Sequence, residues 1–241
     1  MSPTVMTLTR KEFSSYFQST IAYIFITLFL VLSNWLFFWF GGFFTTAQAT
    51  LRDFFFFVPW LFLFFVPAAT MRLWAEEKKL GTVELLLTFP VKDWEVVVGK
   101  FLASFLFLAV TLGLTLPLAI TVIGLGNPDN GALICGYLGC LMIGGAFLAI
   151  GLWASSTTAN QIVAFIVTVV ICFVLYVIGT PPVLSSVPQP LVPFFANLSL
   201  SAHFESIGRG VVDTRDVIYY LSIITFFLFM NVRQIESRKW S

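Results

Sequence analysis

The sequence predicts an all-α integral membrane protein with six transmembrane helices. Hydrophobic residues make up 59% of the 241 positions. Charged residues make up only 10%, where about 25% is usual in a soluble domain, so too few are present to cover a water-facing surface. The apolar residues form six windows that are nearly free of charge and close to the ~20 residues that span a bilayer. These windows are residues 21–40, 54–74, 96–123, 132–154, 162–179 and 217–232.

The windows favour helices over membrane β-strands, and we expect one transmembrane domain over residues 1–241. Residues 54–57 are all Phe, and such runs lack the apolar–polar alternation of barrel strands. The first window is longer than the ~7–15 apolar residues of a signal peptide and lacks a small-residue cleavage site. We therefore expect it to remain in the mature protein.

The distribution of cations predicts the orientation. Segments on one side of the six windows carry ten of the thirteen Lys and Arg residues. Because cytoplasmic segments are enriched in Lys and Arg, we expect a multi-pass protein with both termini in the cytoplasm. An even number of spans also requires both termini on one side. The cations expected outside are Arg52, Arg209 and Arg215.

Residues 4–20 precede the first window and mix aromatic and aliphatic residues with polar ones at roughly helical spacing. We predict an N-terminal amphipathic helix that lies on the inner membrane surface. A short polar leader is the alternative, but it would not require the aromatic residues Phe13, Tyr16 and Phe17.

The cytoplasmic connection 72–95 is rich in charge. Gly81 is expected to end a charged helical extension, and residues 82–88 can form a short helix after it. The three leucines at 85–87 then have to meet lipid headgroups or a protein partner. A solvated loop held by weak ion pairs is the alternative, and it leaves these leucines unexplained.

The outer segment 181–216 contains five prolines and yet remains apolar. It is too broken to span a membrane and too apolar for an open loop. Short helices that re-enter the outer leaflet, covered by other helices, would reconcile both properties. A membrane-surface loop without a role in transport is the alternative.

No set of residues points to catalysis or to metal binding. Cys135, Cys140 and Cys172 lie within the windows and form no CxxC pattern, so we expect packing residues, no disulfide and no metal. His203 is the single histidine, and the serines near it lack a G-x-S-x-G context, which disfavours an intramembrane hydrolase. A net charge of +1 gives no electrostatic case for a nucleic acid partner.

Two stretches of the chain match the pattern of a known family. Residues 76–91 read EEKKLGTVELLLTFPV, and 198–220 read LSLSAHFESIGRGVVDTRDVIYY. The first, with Trp94-Glu95 and Gly99-Lys100 after it, resembles the first cytoplasmic loop of type-2 ABC exporter permeases. The second resembles the segment before the last helix in the GldF-like branch of that family. Because the amphipathic start and first window also agree, the resemblance covers nearly the whole chain.

The resemblance implies the permease subunit of an ATP-driven ABC exporter that works by alternating access. The permease would pair with a second copy, as a homodimer, or with a homologous permease. It would dock on a cytoplasmic ABC ATPase through a coupling helix at 82–88. An extracytoplasmic accessory protein and membrane lipid are further expected contacts, and the expected location is the bacterial inner (cytoplasmic) membrane.

The chain itself is expected to be neither an enzyme nor a cofactor binder. It lacks a Gly-x-x-x-x-Gly-Lys-Ser/Thr phosphate loop, so ATP and Mg²⁺ would be held by the partner ATPase. The resemblance implies two groups of site residues. Those for ATPase coupling are Glu76, Glu77, Gly81, Thr82, Glu84 and Leu85, and those of the outer re-entrant segment are His203, Glu205, Arg209 and Gly210.

An ion-coupled secondary transporter or channel is the alternative function. Such proteins usually need charged residues within the membrane to bind or relay the ion. Residues 130–204 contain no Asp, Glu, Lys or Arg, which leaves the fourth and fifth windows without a carboxylate relay. The sequence therefore favours transport that is powered by a partner.

Overall fold

The computed structural model describes residues 2–46, 48–82, 91–126, 128–211 and 213–237. Within these ranges the regular secondary structure is helical, without strands. The helices are α1 (Pro3–Gln18), α2 (Thr20–Trp35), α3 (Phe43–Thr46), α4 (Arg52–Thr70), α5 (Arg72–Leu80), α6 (Asp93–Gly113), α7 (Leu116–Leu125), α8 (Asn130–Thr157), α9 (Gln161–Val177), α10 (Pro181–Leu184), α11 (Val192–Leu198), α12 (Leu200–Gly208) and α13 (Thr214–Glu236).

The described residues run along the helical bundle six times. We call the end where α5 stops and α6 begins the basal end, and the other the apical end. The traverses are formed by α2, by α4 with α5, by α6 with α7, by α8, by α9 and by α13. Helix α1 contacts α6 near the basal end, and the described residues at both ends of the chain lie there.

Five of these helical stretches are long and apolar enough to cross a membrane. The remaining traverse, α9, is apolar but has only 17 residues. The prediction of a helical membrane protein is confirmed, whereas the count of six spans stays a prediction. The five stretches are Thr20–Thr45, Arg52–Leu80, Asp93–Leu125, Asn130–Thr157 and Thr214–Glu236.

Two of the predicted windows are less regular than the hydropathy pattern suggests. The first traverse passes from α2 into a π-helical turn over Leu36–Phe40. The third is divided between α6 and α7, because Pro117 lies in the first turn of α7 and cannot continue the hydrogen bonds of the preceding helix. Hydropathy does not detect such breaks, since the side chains remain apolar across them.

Helix α8 forms the centre of the bundle and contacts α4, α5, α6, α9, α12 and α13. Its small residues make this possible. A Cβ atom added at Gly144 would overlap Leu108 of α6, and one added at Gly151 would overlap Thr70 of α4. Close contact between helix backbones at small residues is typical of membrane bundles.

A helix is present at the N-terminus, as predicted for 4–20. Ser2 caps α1 by accepting a hydrogen bond from the backbone N–H of Val5, at 3.4 Å. Val5, Thr9 and Tyr16 are buried on one side of α1, which packs along α6. The position of α1 on the surface of a membrane stays a prediction.

Candidate functional site

The predicted coupling residues begin at the end of α5. Glu76 is exposed, and Gly81 ends the helix with a φ of 71°, a conformation that glycine adopts without steric cost. The hydroxyl of Thr82 donates a hydrogen bond to the carbonyl oxygen of Glu77, at 3.2 Å. The other two predicted residues, Glu84 and Leu85, and most of the predicted coupling helix lie outside the described residues.

A buried ammonium group joins three helices next to this position. Lys100 of α6 is 2% exposed, and its Nζ atom lies 2.6 Å from Oε1 of Glu77 in α5. The same Nζ lies 3.3 Å from Oε1 of Glu12 in α1 and 5.0 Å from the centre of the Trp74 ring. Two carboxylates and an aromatic face compensate the loss of water around the ammonium. This cluster of Lys100, Glu77, Glu12 and Trp74 is called the basal ion cluster below.

Helix α5 is also attached to the central helix. Where α4 turns into α5, the hydroxyl of Ser155 accepts hydrogen bonds from the backbone N–H groups of Trp74 and Ala75, both at 3.1 Å. It donates to the carbonyl oxygen of Met71 at 2.9 Å. In addition, the ammonium of Lys78 donates to the carbonyl oxygen of Ser156. The basal end of α8 therefore holds both ends of α5.

Helix α6 is attached to α1 at its first turn. The side chain of Glu95 accepts hydrogen bonds from the backbone N–H of Lys92, at 3.3 Å, and from the hydroxyl of Ser2, at 2.6 Å. One helical turn further, the hydroxyl of Thr9 donates to the carbonyl oxygen of Gly99, at 3.4 Å. Helix α1 consequently contacts α6 through hydrogen bonds as well as through apolar packing.

A basal cleft of about 300 Å³ lies between α1, α5 and α6. Glu12, Tyr16, Arg72, Glu76 and Lys100 are among its lining residues. Burial raises the pKa of the Tyr16 phenol well above its usual value, and the nearby Arg72 charge offsets only part of this effect. Tyr16 thus remains a neutral donor, with its hydroxyl 3.5 Å from the carbonyl oxygen of Ala69.

Sequence reasoning missed Lys100 and Ser155 as site residues. For Lys100, a lysine inside an otherwise apolar window was an available signal, because a charge in such a place requires a partner. For Ser155 the sequence offers no comparable signal, since serine is common in membrane helices as a small packing residue.

The predicted outer residues lie together at the apical end. Nδ1 of His203 is 2.6 Å from Oδ1 of Asp216, and Nε2 is 3.1 Å from the carbonyl oxygen of Asn197. The imidazole also stacks on the ring of Tyr219, with 4.0 Å between the ring centres. Since both ring nitrogens are engaged by oxygen atoms of the protein, neither is available to activate a serine.

The remaining outer residues have different environments. Glu205 and Arg209 form an ion pair at 2.8 Å, and both side chains are more than 60% exposed. Gly210 has a φ of 88° and lies against Ala132 at the start of α8, where a side chain would be both strained and crowded. Asp216, which completes the contact with His203, was not predicted as a site residue.

Short helices fill the proline-rich segment between α9 and α13. Helices α10, α11 and α12, with a 3₁₀ turn at Gln189–Leu191, remain at the apical end and form no traverse of the bundle. The hydroxyl of Tyr220 in α13 donates to the carbonyl oxygen of Leu200 at 2.8 Å, and that of Ser199 donates to Tyr176 at 3.3 Å. These bonds connect α12 to α13 and α9, while entry of the segment into a membrane stays a prediction.

Comparison with known protein families finds a match over most of the helical bundle. A family model described as ABC-2 family transporter protein matches residues 31–227, from the middle of α2 into α13. No curated protein matches the chain.

Proposed function

The chain belongs to the ABC-2 transporter family, and from this premise we propose that it couples ATP hydrolysis by a partner to outward movement of a substrate. Membership makes the chain a multi-pass permease subunit of an ABC transporter and implies an ABC ATPase as its partner. ATP-driven coupling, export and dimerisation are our proposals, as is the relation to the GldF-like branch.

The basal ion cluster is the observation that best supports coupling. Residues 81–92 connect α5 with α6, and this connection is the proposed contact with the ATPase. Directly beside it, Lys100 of α6 is paired with Glu77 of α5 and with Glu12 of α1. A displacement of the connection would therefore move α5, α6 and α1 together, and the bonds to Ser155 and Ser156 would transmit it to α8. A switch between two packings of a bundle needs rigid links of this kind.

Charge and exposure support the proposed orientation and the proposed dimer. The excess of Lys and Arg at the basal end supports a cytoplasmic location of that end and of both termini, in an inner membrane. Helices α2 and α13 each expose an apolar face, which a second permease and the lipid would cover together. Exposed members of these faces are Ile24, Leu28 and Val31 in α2 and Ile218, Leu221 and Phe229 in α13.

The ATPase contact can be tested by site-specific cross-linking in native membranes. We expect an ABC ATPase to co-purify with the chain and to form a cross-link with a Thr82→Cys variant, because Thr82 is exposed at the basal end. The matched control is Val211→Cys, which is 62% exposed at the apical end and should form no such product. Purification without an ATPase, or transport driven by an ion gradient alone, would contradict the proposal.

A further inference from the structure

The largest of the clefts described lies at the apical end, between α4, the α9–α10 junction and α12. Its volume is about 790 Å³, within the roughly 300–1,000 Å³ of sites that bind small molecules. Aromatic and aliphatic side chains form most of its wall. They are Phe55, Phe56, Trp60, Tyr176, Leu184 and Phe204.

This wall is held in place by contacts within the bundle. The rings of Trp60 and Tyr176 meet edge to face, with 5.1 Å between their centres. Phe55 and Phe204 are 4% and 6% exposed and pack against Gly136 and Gly139 of the central helix α8. The cleft is therefore formed before any ligand binds, which lowers the entropic cost of binding.

Two arginines add positive charge to the apolar cleft. Arg52 is the first residue of α4, is exposed, and has no ion-pair partner among the described residues. Arg209 follows α12 and pairs with Glu205 through Nη2, which leaves other guanidinium N–H groups for a second oxygen ligand. Both arginines also line a neighbouring cleft of about 400 Å³, so they stand between the two. The lining of the larger cleft holds one carboxylate, Glu205, against the two guanidinium groups and so carries a positive charge, while Asp129 lines the neighbouring cleft.

The aromatic wall and the two arginines together indicate which class of ligand fits the cleft. An aromatic wall accommodates a hydrocarbon chain, and guanidinium groups bind phosphate oxygens in a bidentate manner. In a membrane, the amphiphile that offers both is a phospholipid. We infer that the apical cleft binds a phospholipid with an anionic headgroup, with its acyl chain along the aromatic wall and its phosphate at Arg52 and Arg209. The inference goes beyond the proposed function, because it depends on insertion in a membrane but not on an ATPase.

Fluorescence quenching of Trp60 can report occupancy of the cleft. The full chain would be reconstituted in phosphatidylcholine vesicles that contain increasing fractions of brominated phosphatidylglycerol or brominated phosphatidylcholine. We expect the phosphatidylglycerol probe to quench at a lower mole fraction than the phosphatidylcholine probe. Trp60→Phe should remove this difference, since the other tryptophans among the described residues do not line the cleft.

Charge variants then test the headgroup contact. Each of Arg52→Gln and Arg209→Gln should reduce the preference for phosphatidylglycerol about fivefold, the factor expected for one cation at a membrane surface. Arg215→Gln is the matched control, because Arg215 is exposed at the same end but does not line the cleft. Circular dichroism and gel filtration would show that each variant is folded.

Four results would overturn the inference. They are equal quenching by the two probes, an unchanged preference in the Arg52→Gln/Arg209→Gln double variant, an equal loss in Arg215→Gln, and relief of quenching by millimolar glycerol phosphate. The last would show that the cleft takes a free phosphate rather than a lipid. A preference that is lost only with the cleft arginines would support the lipid.

Discussion

The Nζ atom of Lys100 lies 2.6 Å from Oε1 of Glu77, so that α6 and the last turn of α5 are ion-paired beside the connection between them. The two residues are 23 positions apart in the sequence. Their ion pair links the two helices on either side of this connection, so we expect these helices to move together. The first prediction depends on this contact.

Lys100→Met should lower the free energy of unfolding and weaken stimulation of the partner ATPase. We expect a loss of about 1–3 kcal/mol, less than the ~3–5 kcal/mol for one partner of a fully buried pair, because Glu12 and Glu77 can regain water. Denaturation in detergent would measure it. In a double-mutant cycle with Glu77→Gln, the two losses should not add. An equal effect of Lys79→Met, at an exposed position of α5, would contradict this prediction.

Ser155→Ala should destabilise the junction between α4 and α5. The change removes the acceptor of two buried backbone N–H groups, which costs about 1–3 kcal/mol. Hydrogen exchange should therefore accelerate at the amides of Trp74 and Ala75. Ser222→Ala is the control, since Ser222 is exposed and bonds only within its own helix. Unchanged exchange at both amides would show that the hydroxyl is dispensable.

Gly151→Ala should loosen the contact between α8 and α4. The added methyl group would overlap the side chain of Thr70, and such overpacking costs about 1–3 kcal/mol. The melting temperature of the purified chain would measure the effect. Gly124→Ala offers a matched control within α7, because a methyl group there meets no atom within 4 Å. If both variants melt at the same temperature, the close approach at Gly151 does not limit stability.

His203→Ala should release α12 from α13 without affecting the ATPase. The change leaves the carboxylate of Asp216, whose side chain is 8% exposed, without its imidazole partner. Limited proteolysis should then cleave residues 192–208 faster, while the ATPase still co-purifies. Glu205→Gln breaks only an exposed pair worth about 0.3–0.5 kcal/mol and should leave proteolysis unchanged. Loss of the ATPase in His203→Ala would argue against separate roles for the two ends of the bundle.

The structural class of the protein was predictable because the hydropathy of each helix depends only on the residues of that helix. A window such as 132–154 indicates a membrane helix from its own residues, and α8 occupies that position. The small residues Gly136, Cys140 and Gly144 of this window are four apart, a spacing that indicates close helix packing and is a property of a single helix. Helix breaks such as the one before Pro117 were less evident, because backbone hydrogen bonding can change while side-chain hydropathy does not.

The site was predictable only in outline. Docking of a partner at the connection 72–95 stays a prediction, whereas Gly81 was correctly predicted as the end of a helix. The partner of His203 was not predicted, although Asp216 is only 13 residues away. Several acidic residues lie near His203 in the sequence, and the packing of α12 against α13 decides which of them contacts the imidazole.

The sequence alone determined that this chain is a helical membrane protein, where its long apolar stretches lie, and which end collects the charge. Each of these properties depends on residues that are close together in the sequence, so the sequence is sufficient to predict it. Only the tertiary structure decided that Lys100 meets both Glu12 and Glu77, that Ser155 caps the start of α5, and that Arg52 and Arg209 share a cleft. Each of these contacts joins separate helices, and their packing angles and depths depend on the whole bundle rather than on any one segment.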